Sequence, residues 1–188
     1  MKPVLHIVIS STRPGRVGPA VARWFRDFAQ QHDQFDVRLV DLADFNLPIY
    51  DEPQHPATQK YAHAHTKAWA ANVTAADAFV FVTPEYNFGP SPAFVNALNY
   101  VYREWNYKAC GFVSYGGLSG GLRSVQLAKQ LVTTLKMMPM VEAVNIPFFT
   151  QLIENGVFKG NEIHDKAVPV MLDELLRWSA AMKVLRAG

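Results

Sequence analysis

Three short stretches of the sequence are apolar almost without interruption, and they constrain the fold more than any other feature. These stretches, 4–9, 78–83 and 109–115, are rich in β-branched and aromatic residues. A strand with apolar side chains on both of its sides has to be buried on both faces, which is typical of a parallel sheet covered by helices. The chain is therefore expected to form an α/β protein.

Helical patterns separate these stretches. After Gly18, the apolar residues Val21, Trp24, Phe25 and Phe28 recur at the spacing of three and four that marks one face of a helix. Further strands are predicted at 35–42 and 140–144, further helices at 58–76, 93–102, 122–135 and 162–184, and a loop at 146–161.

Five consecutive strand–helix units predict the architecture of the whole chain. They favour a flavodoxin-like three-layer α/β/α sandwich whose five-stranded parallel sheet has the order 2-1-3-4-5. With 188 residues, the chain has the length of one domain, and we expect that domain to cover residues 1–188. Ligands of such sheets bind beyond the carboxyl ends of the strands.

Charge and cysteine content exclude several classes of protein. The chain has 18 lysines and arginines against 16 aspartates and glutamates, a net charge of +2, which is not typical of nucleic-acid binding. The single cysteine, Cys110, excludes an internal disulfide framework and is interpreted as a buried hydrophobe. The apolar run after Lys2 is broken by His6 and is too short for a signal peptide or a membrane span. We therefore expect a cytoplasmic protein with no nucleic-acid or membrane partner.

The loop after the first strand, residues 10–19, has the composition of an anion site. It offers three hydroxyls, the guanidinium groups of Arg13 and Arg16, and two glycines directly before a helix. The N-terminus of a helix attracts anions, and arginine can bind phosphate with two hydrogen bonds. The loop has neither the ending of a nucleotide P-loop nor the glycine pattern of dinucleotide sites, so one terminal phosphate is the predicted ligand. The alternative interpretation is a capped turn at the start of a helix.

The loops after the third and fourth strands predict a planar ligand. Residues 83–92 combine three stiffening prolines with the aromatic rings of Tyr86 and Phe88 and the amide of Asn87. Residues 114–121 contain four glycines, which allow the backbone to approach a flat molecule closely. An ordinary structural turn is the alternative for each loop.

Taken together, the motifs of the three loops resemble those of the NADPH-dependent FMN reductase family, which includes quinone, chromate and azo-dye reductases. The resemblance extends from the first strand to at least Leu135. It departs at Ser10, where the family commonly has glycine, at Val95, where lysine is frequent, and at Asn99, where an acidic residue is common. The matching motifs are Ser11-x-Arg13-x-x-Arg16, Pro84-Glu85-Tyr86-Asn87, Pro92, Asn96-Ala97-Leu98 and the glycine turn.

The resemblance implies an FMN site built from all three loops. In this family the flavin phosphate lies in the first loop, the isoalloxazine ring lies along the second, and the third lines the edge of the ring. The residues that this places at the phosphate are Ser11, Arg13, Arg16, Val17 and Gly18. Those along the ring are Pro84, Glu85, Tyr86 and Asn87, and those at its edge are Ser114, Gly116 and Gly117.

The same resemblance implies an FMN-dependent NAD(P)H oxidoreductase. Hydride would pass from NADPH or NADH to FMN and then to a quinone-like, azo or metal-oxyanion acceptor, with both substrates using one face of the ring. The resemblance also implies a homodimer or homotetramer. The catalytic residue is left unassigned, with Tyr86, Tyr115 and Glu85 as possible proton donors, and FMN is either tightly bound or exchangeable.

Two other functions remain open, namely an electron carrier of the flavodoxin type and a flavin-binding redox sensor. Such carriers tend to be strongly acidic so that they dock on basic partners, and the net charge of +2 argues against one. No metal site is expected, because His63 and His65 are two residues apart and a helix would turn them to different faces.

Overall fold

The structure, a computed structural model, describes residues 1–187, so that Gly188 of the predicted domain lies outside the described residues. Its main sheet has the strand order β2-β1-β3-β4-β5, and all of its neighbouring strands are parallel. The predicted flavodoxin-like architecture and strand order are confirmed. The strands are β1 (Val4–Ile9), β2 (Asp36–Asp41), β3 (Ala78–Pro84), β4 (Ala109–Tyr115) and β5 (Met138–Ile146).

Five helices cover the two faces of this sheet. The helices α1 (Gly18–His32) and α5 (Glu162–Ala187) pack on one face. The other face carries α2 (Ala64–Ala75), α3 (Pro92–Tyr100) and α4 (Leu122–Thr134). None of these helices is both long and apolar enough to cross a membrane.

Alternate side chains of the central strands belong to different layers of the core, because successive residues of a strand point to opposite faces. In β3, Val80 and Val82 pack with α1 and α5, whereas Phe79 and Phe81 pack with α2, α3 and α4. All four side chains are at most 1% exposed. The apolar runs are therefore strands buried on both sides, as the sequence predicts. Cys110 of β4 is likewise buried.

In the sequence of the edge strand β2, Val37 and Leu39 alternate with Arg38 and Val40, and the observed burial departs from this alternation. Val40, which the alternation groups with Arg38 on the polar side, is buried among the side chains of the α2 layer. Leu39, which the alternation places on the apolar side, is 37% exposed. An edge strand has one neighbour only, so the helices cover its two faces incompletely.

The helix predicted at 58–76 starts six residues later than expected, at Ala64. The backbone of Gln59 is in the left-handed region, with φ 57°, which ends any helix at this point. The buried carboxylate of Glu52 accepts hydrogen bonds from the backbone N–H groups of Ala62 and His63, and these bonds fix the segment before α2. Such contacts join residues far apart in sequence, so local patterns do not reveal them.

The segment 146–161, predicted as a loop, contains a short hairpin. Its strands are β6 (Ile153–Glu154) and β7 (Val157–Phe158), which pair antiparallel. Asn155 and Gly156 between them both have positive φ, which is the backbone of a two-residue hairpin turn. Phe158 packs its ring edge-on against Trp24 of α1, which fastens the hairpin to the domain.

Candidate active site

The carboxyl ends of β1, β3 and β4 surround a cavity of about 190 Å³. The three loops meet there because β3 lies between β1 and β4 in the sheet. Most of the residues predicted from the loops line the cavity, and Tyr115 and Phe149 complete its wall. The predicted residues among the lining are Arg13, Arg16, Val17, Pro84, Glu85, Tyr86, Gly116 and Gly117.

Four of the predicted residues are not part of the cavity wall. Ser11 and Gly18 are buried, and Asn87 is exposed at the tip of the second loop. Ser114 is buried in β4, and its hydroxyl donates to Gly120 O at 2.8 Å, with Asn145 Oδ1 also at 2.8 Å. The side chain of Ser114 therefore holds the glycine turn in place instead of facing the cavity.

The two arginines of the first loop have different surroundings. Arg16 donates to Ser11 O and, at 2.6 Å, to the carboxylate of Asp41, an ion pair whose side chains are 17% and 19% exposed. Arg13 is exposed and donates to Pro14 O at 3.4 Å, and within residues 1–187 it forms no ion pair. Arg16 thus shapes the loop, while the charge of Arg13 is available to a ligand.

The second loop is a tight turn. Tyr86 and Gly89 exchange both of their backbone hydrogen bonds, each 2.9 Å long. Asn87 and Phe88 at the tip have φ of 49° and 68°. The turn directs Tyr86 to the cavity wall and leaves Phe88 62% exposed.

The carboxylate of Glu85 joins the second loop to the glycine turn and α4. It accepts hydrogen bonds from Ser119 Oγ at 2.7 Å and from the backbone and guanidinium N–H groups of Arg123. Burial tends to raise the pKa of Glu85, but the Ser119 bond and the adjacent guanidinium hold this pKa below its usual range. Glu85 is therefore ionised at neutral pH, and it clamps together two walls of the cavity.

The glycine turn is itself tightly packed. Gly121 has φ of 87°, and a Cβ at this position would lie 2.7 Å from Ser114 Cβ and 2.9 Å from Tyr115 N. A Cβ on Gly116 would lie 3.0 Å from Gly121 N, whereas one on Gly117 would meet no atom within 4 Å. The turn therefore needs glycine at 121 for its own folding, and it has open space at 117.

Sequence reasoning names Tyr115 only as a possible proton donor at the site, and it does not place Phe149 there. Their rings pack edge to face, with centroids 5.3 Å apart. Tyr115 stands directly before the glycine turn, and Phe149 follows the end of β5, where ligands of this fold bind. An aromatic residue just after the fifth strand was the available signal for Phe149.

A more open groove lies beside the first loop, between the segment after β2 and helix α3. Its two parts have volumes of about 350 and 650 Å³. Thr12, Leu47, Ala93 and Asn96 line both parts. Asn96 fixes the wall of this groove, since its side chain donates to Pro48 O and accepts from the backbone N–H of Tyr50.

The expectation that His63 and His65 face apart is wrong. His63 precedes α2 instead of lying within it, and the two imidazole rings stack with centroids 5.1 Å apart. Both rings approach Asp51, His65 Nε2 at 3.1 Å from its carboxylate. Among residues 1–187, no group of three His, Cys, Asp or Glu side chains could hold a metal ion.

The donors around the cavity fit a flavin mononucleotide. At one end, Arg13 supplies a positive charge beside the N-terminus of α1, the positive end of that helix, which suits a phosphate. At the other end, the rings of Tyr86 and Phe149 and the glycine backbone provide flat surfaces that suit an aromatic ring, and the phenol of Tyr115 extends from the fourth strand towards Ser11 of the first loop.

Comparison with known proteins agrees with this assignment. The model of the NADPH-dependent FMN reductase family matches residues 3–151. The chain is 40% identical over 149 residues to an NAD(P)H-dependent FMN reductase of Schizosaccharomyces pombe, an alignment that covers 77% of this chain and 74% of that protein. It is 41% identical over 133 residues to a probable NADPH:quinone oxidoreductase 2 of Oryza sativa, covering 66% and 61% of the two chains. Among solved structures, the flavoenzyme NAD(P)H:(acceptor) oxidoreductase FerB of Paracoccus denitrificans shares the fold, with a TM-score of 0.76 and 16% identity over 96% of this chain and 98% of that one.

Proposed function

The chain belongs to the NADPH-dependent FMN reductase family, and from this membership we propose that it reduces quinone-like, azo or metal-oxyanion acceptors with electrons from NADPH or NADH. As an enzyme of this family it uses NAD(P)H and FMN. The observation that carries the proposal is the cavity at the ends of β1, β3 and β4, where a free arginine faces one end and flat walls form the other.

When bound, FMN would supply two-electron redox chemistry between the pyridine nucleotide and the acceptor. The protein binds and orients this group. Arg13 and the N-terminus of α1 bind the phosphate, and the Arg16–Asp41 pair holds the first loop in shape. Gly117, with open space around its Cα, lets a flat ring approach the backbone closely.

The side chains of the cavity bear on the question of a proton donor. The carboxylate of Glu85 is ionised and fully engaged by Ser119 and Arg123, so it does not serve as an acid. Burial raises the pKa of Tyr115 to about 12, so its phenol keeps its proton at neutral pH. Glu85 and Tyr115 are therefore poor proton donors, which leaves Tyr86 of the cavity wall or water as the source of the protons that accompany the electrons to a quinone.

The proposal includes an oligomer, a homodimer or homotetramer, with the site near a subunit contact. Three large apolar side chains around the second loop and its neighbours are exposed. Ile49 is 91% exposed, Leu118 is 81% exposed, and Phe88 is 62% exposed. Large apolar side chains exposed in these loops favour contact with another copy of the chain. We also assign the enzyme to the cytoplasm, where pyridine nucleotides serve as reductants.

The proposal is tested by the visible absorption spectrum of the purified protein loaded with FMN. Anaerobic addition of NADPH should bleach the flavin bands, and one equivalent of a quinone added afterwards should restore them. Because a single face serves both substrates, the steady-state kinetics should be ping-pong. A flavin that stays oxidised with excess NADPH and NADH would contradict the proposed reaction and favour a carrier or a sensor.

A further inference from the structure

Two hydroxyl groups from separate strand ends meet beside the cavity. Ser11 follows β1, and Tyr115 is the last residue of β4, so the phenol reaches across the end of β3, which lies between them. Ser11 Oγ and Tyr115 Oη are 3.3 Å apart, within hydrogen-bond distance, and both residues are buried. Tyr115 also forms part of the cavity wall.

This pair lies against the first residue of helix α1. A Cβ added to Gly18 would be 2.8 Å from Ser11 Oγ and 2.9 Å from Tyr115 Oη. Glycine at position 18 therefore allows both hydroxyls to approach the helix N-terminus. The first N–H groups of a helix have no partner within it and form its positive end, where anions bind. The pair thus stands where the phosphate would be held, beside Arg13 and Arg16.

A count of protons shows that one donor of the pair is free. Two hydroxyls carry two protons, and the hydrogen bond between Ser11 and Tyr115 uses one of them. The second proton remains available to an acceptor in the cavity. Because the phenol keeps its proton at neutral pH, the pair remains a donor there, and a phosphate oxygen is the strongest acceptor for it.

We propose that Tyr115, paired with Ser11, donates a hydrogen bond to the phosphate of FMN and so makes the site select phosphorylated flavin over riboflavin. This assignment rests on the proposed function. It gives Tyr115 a role at the phosphate end of the cofactor, whereas the sequence suggests for it only a possible proton transfer at the ring. The selection comes from a buried neutral donor added to the exposed charge of Arg13.

The packing of Tyr115 allows its hydroxyl to be removed alone. The ring packs edge to face with Phe149, a contact that phenylalanine retains. Tyr115→Phe therefore deletes the phenol oxygen and leaves the wall of the cavity in place. Tyr100→Phe is the matched control, since the buried hydroxyl of Tyr100 is bonded to Pro48 O and Asp51, outside the cavity.

The experiment measures the dissociation constants of FMN and riboflavin for the apoprotein and its variants by quenching of flavin fluorescence. Tyr115→Phe should weaken FMN binding about 10-fold or more, the usual loss of one hydrogen bond to a charged group, and leave riboflavin binding unchanged. Ser11→Ala should lower the same preference. Combining the two changes should cost less than the product of the separate losses, because the hydroxyls act as a pair. Tyr100→Phe should leave the ratio of the two constants unaltered.

Three results would overturn the assignment in distinguishable ways. Equal weakening of FMN and riboflavin by Tyr115→Phe would mean that the phenol supports the ring or the fold and not the phosphate. If Tyr115→Phe leaves both dissociation constants at their wild-type values, the phenol does not touch the phosphate. A wild-type protein that binds neither flavin would overturn the proposed function together with this inference. Should Tyr115→Phe fail to fold, the ratio measured for Ser11→Ala decides the question, and an unchanged ratio there rejects the pair.

Discussion

The amino ends and the carboxyl ends of the strands of the main sheet use their polar groups in opposite ways. At the amino ends of the strands, charged groups are bound to other parts of the chain. The buried Lys108 donates to Val73 O at 2.6 Å and to Thr74 O at 3.2 Å, two carbonyls in the last turn of α2. Arg186 at the end of α5 pairs with Asp77 at 2.8 Å. Each of these contacts ties a helix end to the sheet.

At the carboxyl ends of the strands, several groups are left for a ligand. Arg13 is exposed, one proton of the Ser11–Tyr115 pair has no use within the pair, and the space above Gly117 is open. Polar residues near strand ends are therefore not functional by position alone. What marks the site is that its donors lack partners inside the protein.

The largest expected effect tests whether the carboxyl ends of the strands, where the ligand binds, also contain residues that the fold itself requires. Gly121→Ala should reduce the free energy of unfolding by about 3 kcal/mol or more, because its φ of 87° is strained for alanine and its Cβ would collide with Ser114 and Tyr115. Gly117→Ala, with nothing within 4 Å, should change it by about 0.5 kcal/mol at most. Urea denaturation of both variants measures the difference. Similar losses for the two would show that the whole turn is equally rigid, which breaks the distinction drawn within it.

At the amino ends of the strands, the second expected effect is a dependence of stability on pH. Burial and the charge of Arg186 lower the pKa of Lys108 to about 7, below its value in the unfolded chain. The unfolded chain therefore binds more protons between pH 7 and 10, so stability should rise with pH there. Between pH 7 and pH 9 the gain attributable to Lys108 should be about 2 kcal/mol.

The measurement is urea denaturation at the two pH values. Lys108→Met should flatten the rise, whereas Lys67→Met, which removes an exposed lysine of α2, should leave it in place. A wild-type protein whose stability does not change over this range would show that the buried ammonium is better solvated than its surroundings suggest.

Two arginines of one loop should differ in the property that each one affects. Arg13→Ala should weaken FMN binding by about 1.5–3 kcal/mol through loss of a charge-assisted hydrogen bond, with little change in unfolding. Arg16→Ala should instead lower the free energy of unfolding by about 1–2 kcal/mol, because Asp41 loses its partner. Flavin titration and urea denaturation of each variant give both quantities. If Arg13→Ala proves to be the destabilising change, the division of labour within the loop is reversed.

The fold was predictable from the sequence because its central strands are apolar on both sides. The bounds of β4 were predicted to the residue, and those of β3 to within one residue. The start of α2 was not predictable, since it depends on the carboxylate of Glu52, ten residues before the backbone N–H that it accepts from.

The site was predictable in its location and less so in its roles. The three loops could be recognised from their residue types, and the topology brings them together. The pairing of Arg16 with Asp41 spans 25 residues, and the contact of Ser11 with Tyr115 spans 104. Which of two similar side chains is free for a ligand is decided by such distant partners, and no local pattern records them.

The clamp at Glu85 has a consequence for how enzymes with this site could diverge. Its carboxylate fixes the loop after β3 to the turn after β4, so these two walls of the cavity form one unit. Substitutions in that unit would change the grip on the cofactor together with anything else they change. New acceptor preferences are therefore most easily acquired outside it, at Phe149 and in the segment around Ile49. The clamp thereby separates the part of the enzyme that must be inherited intact from the part that is free to vary.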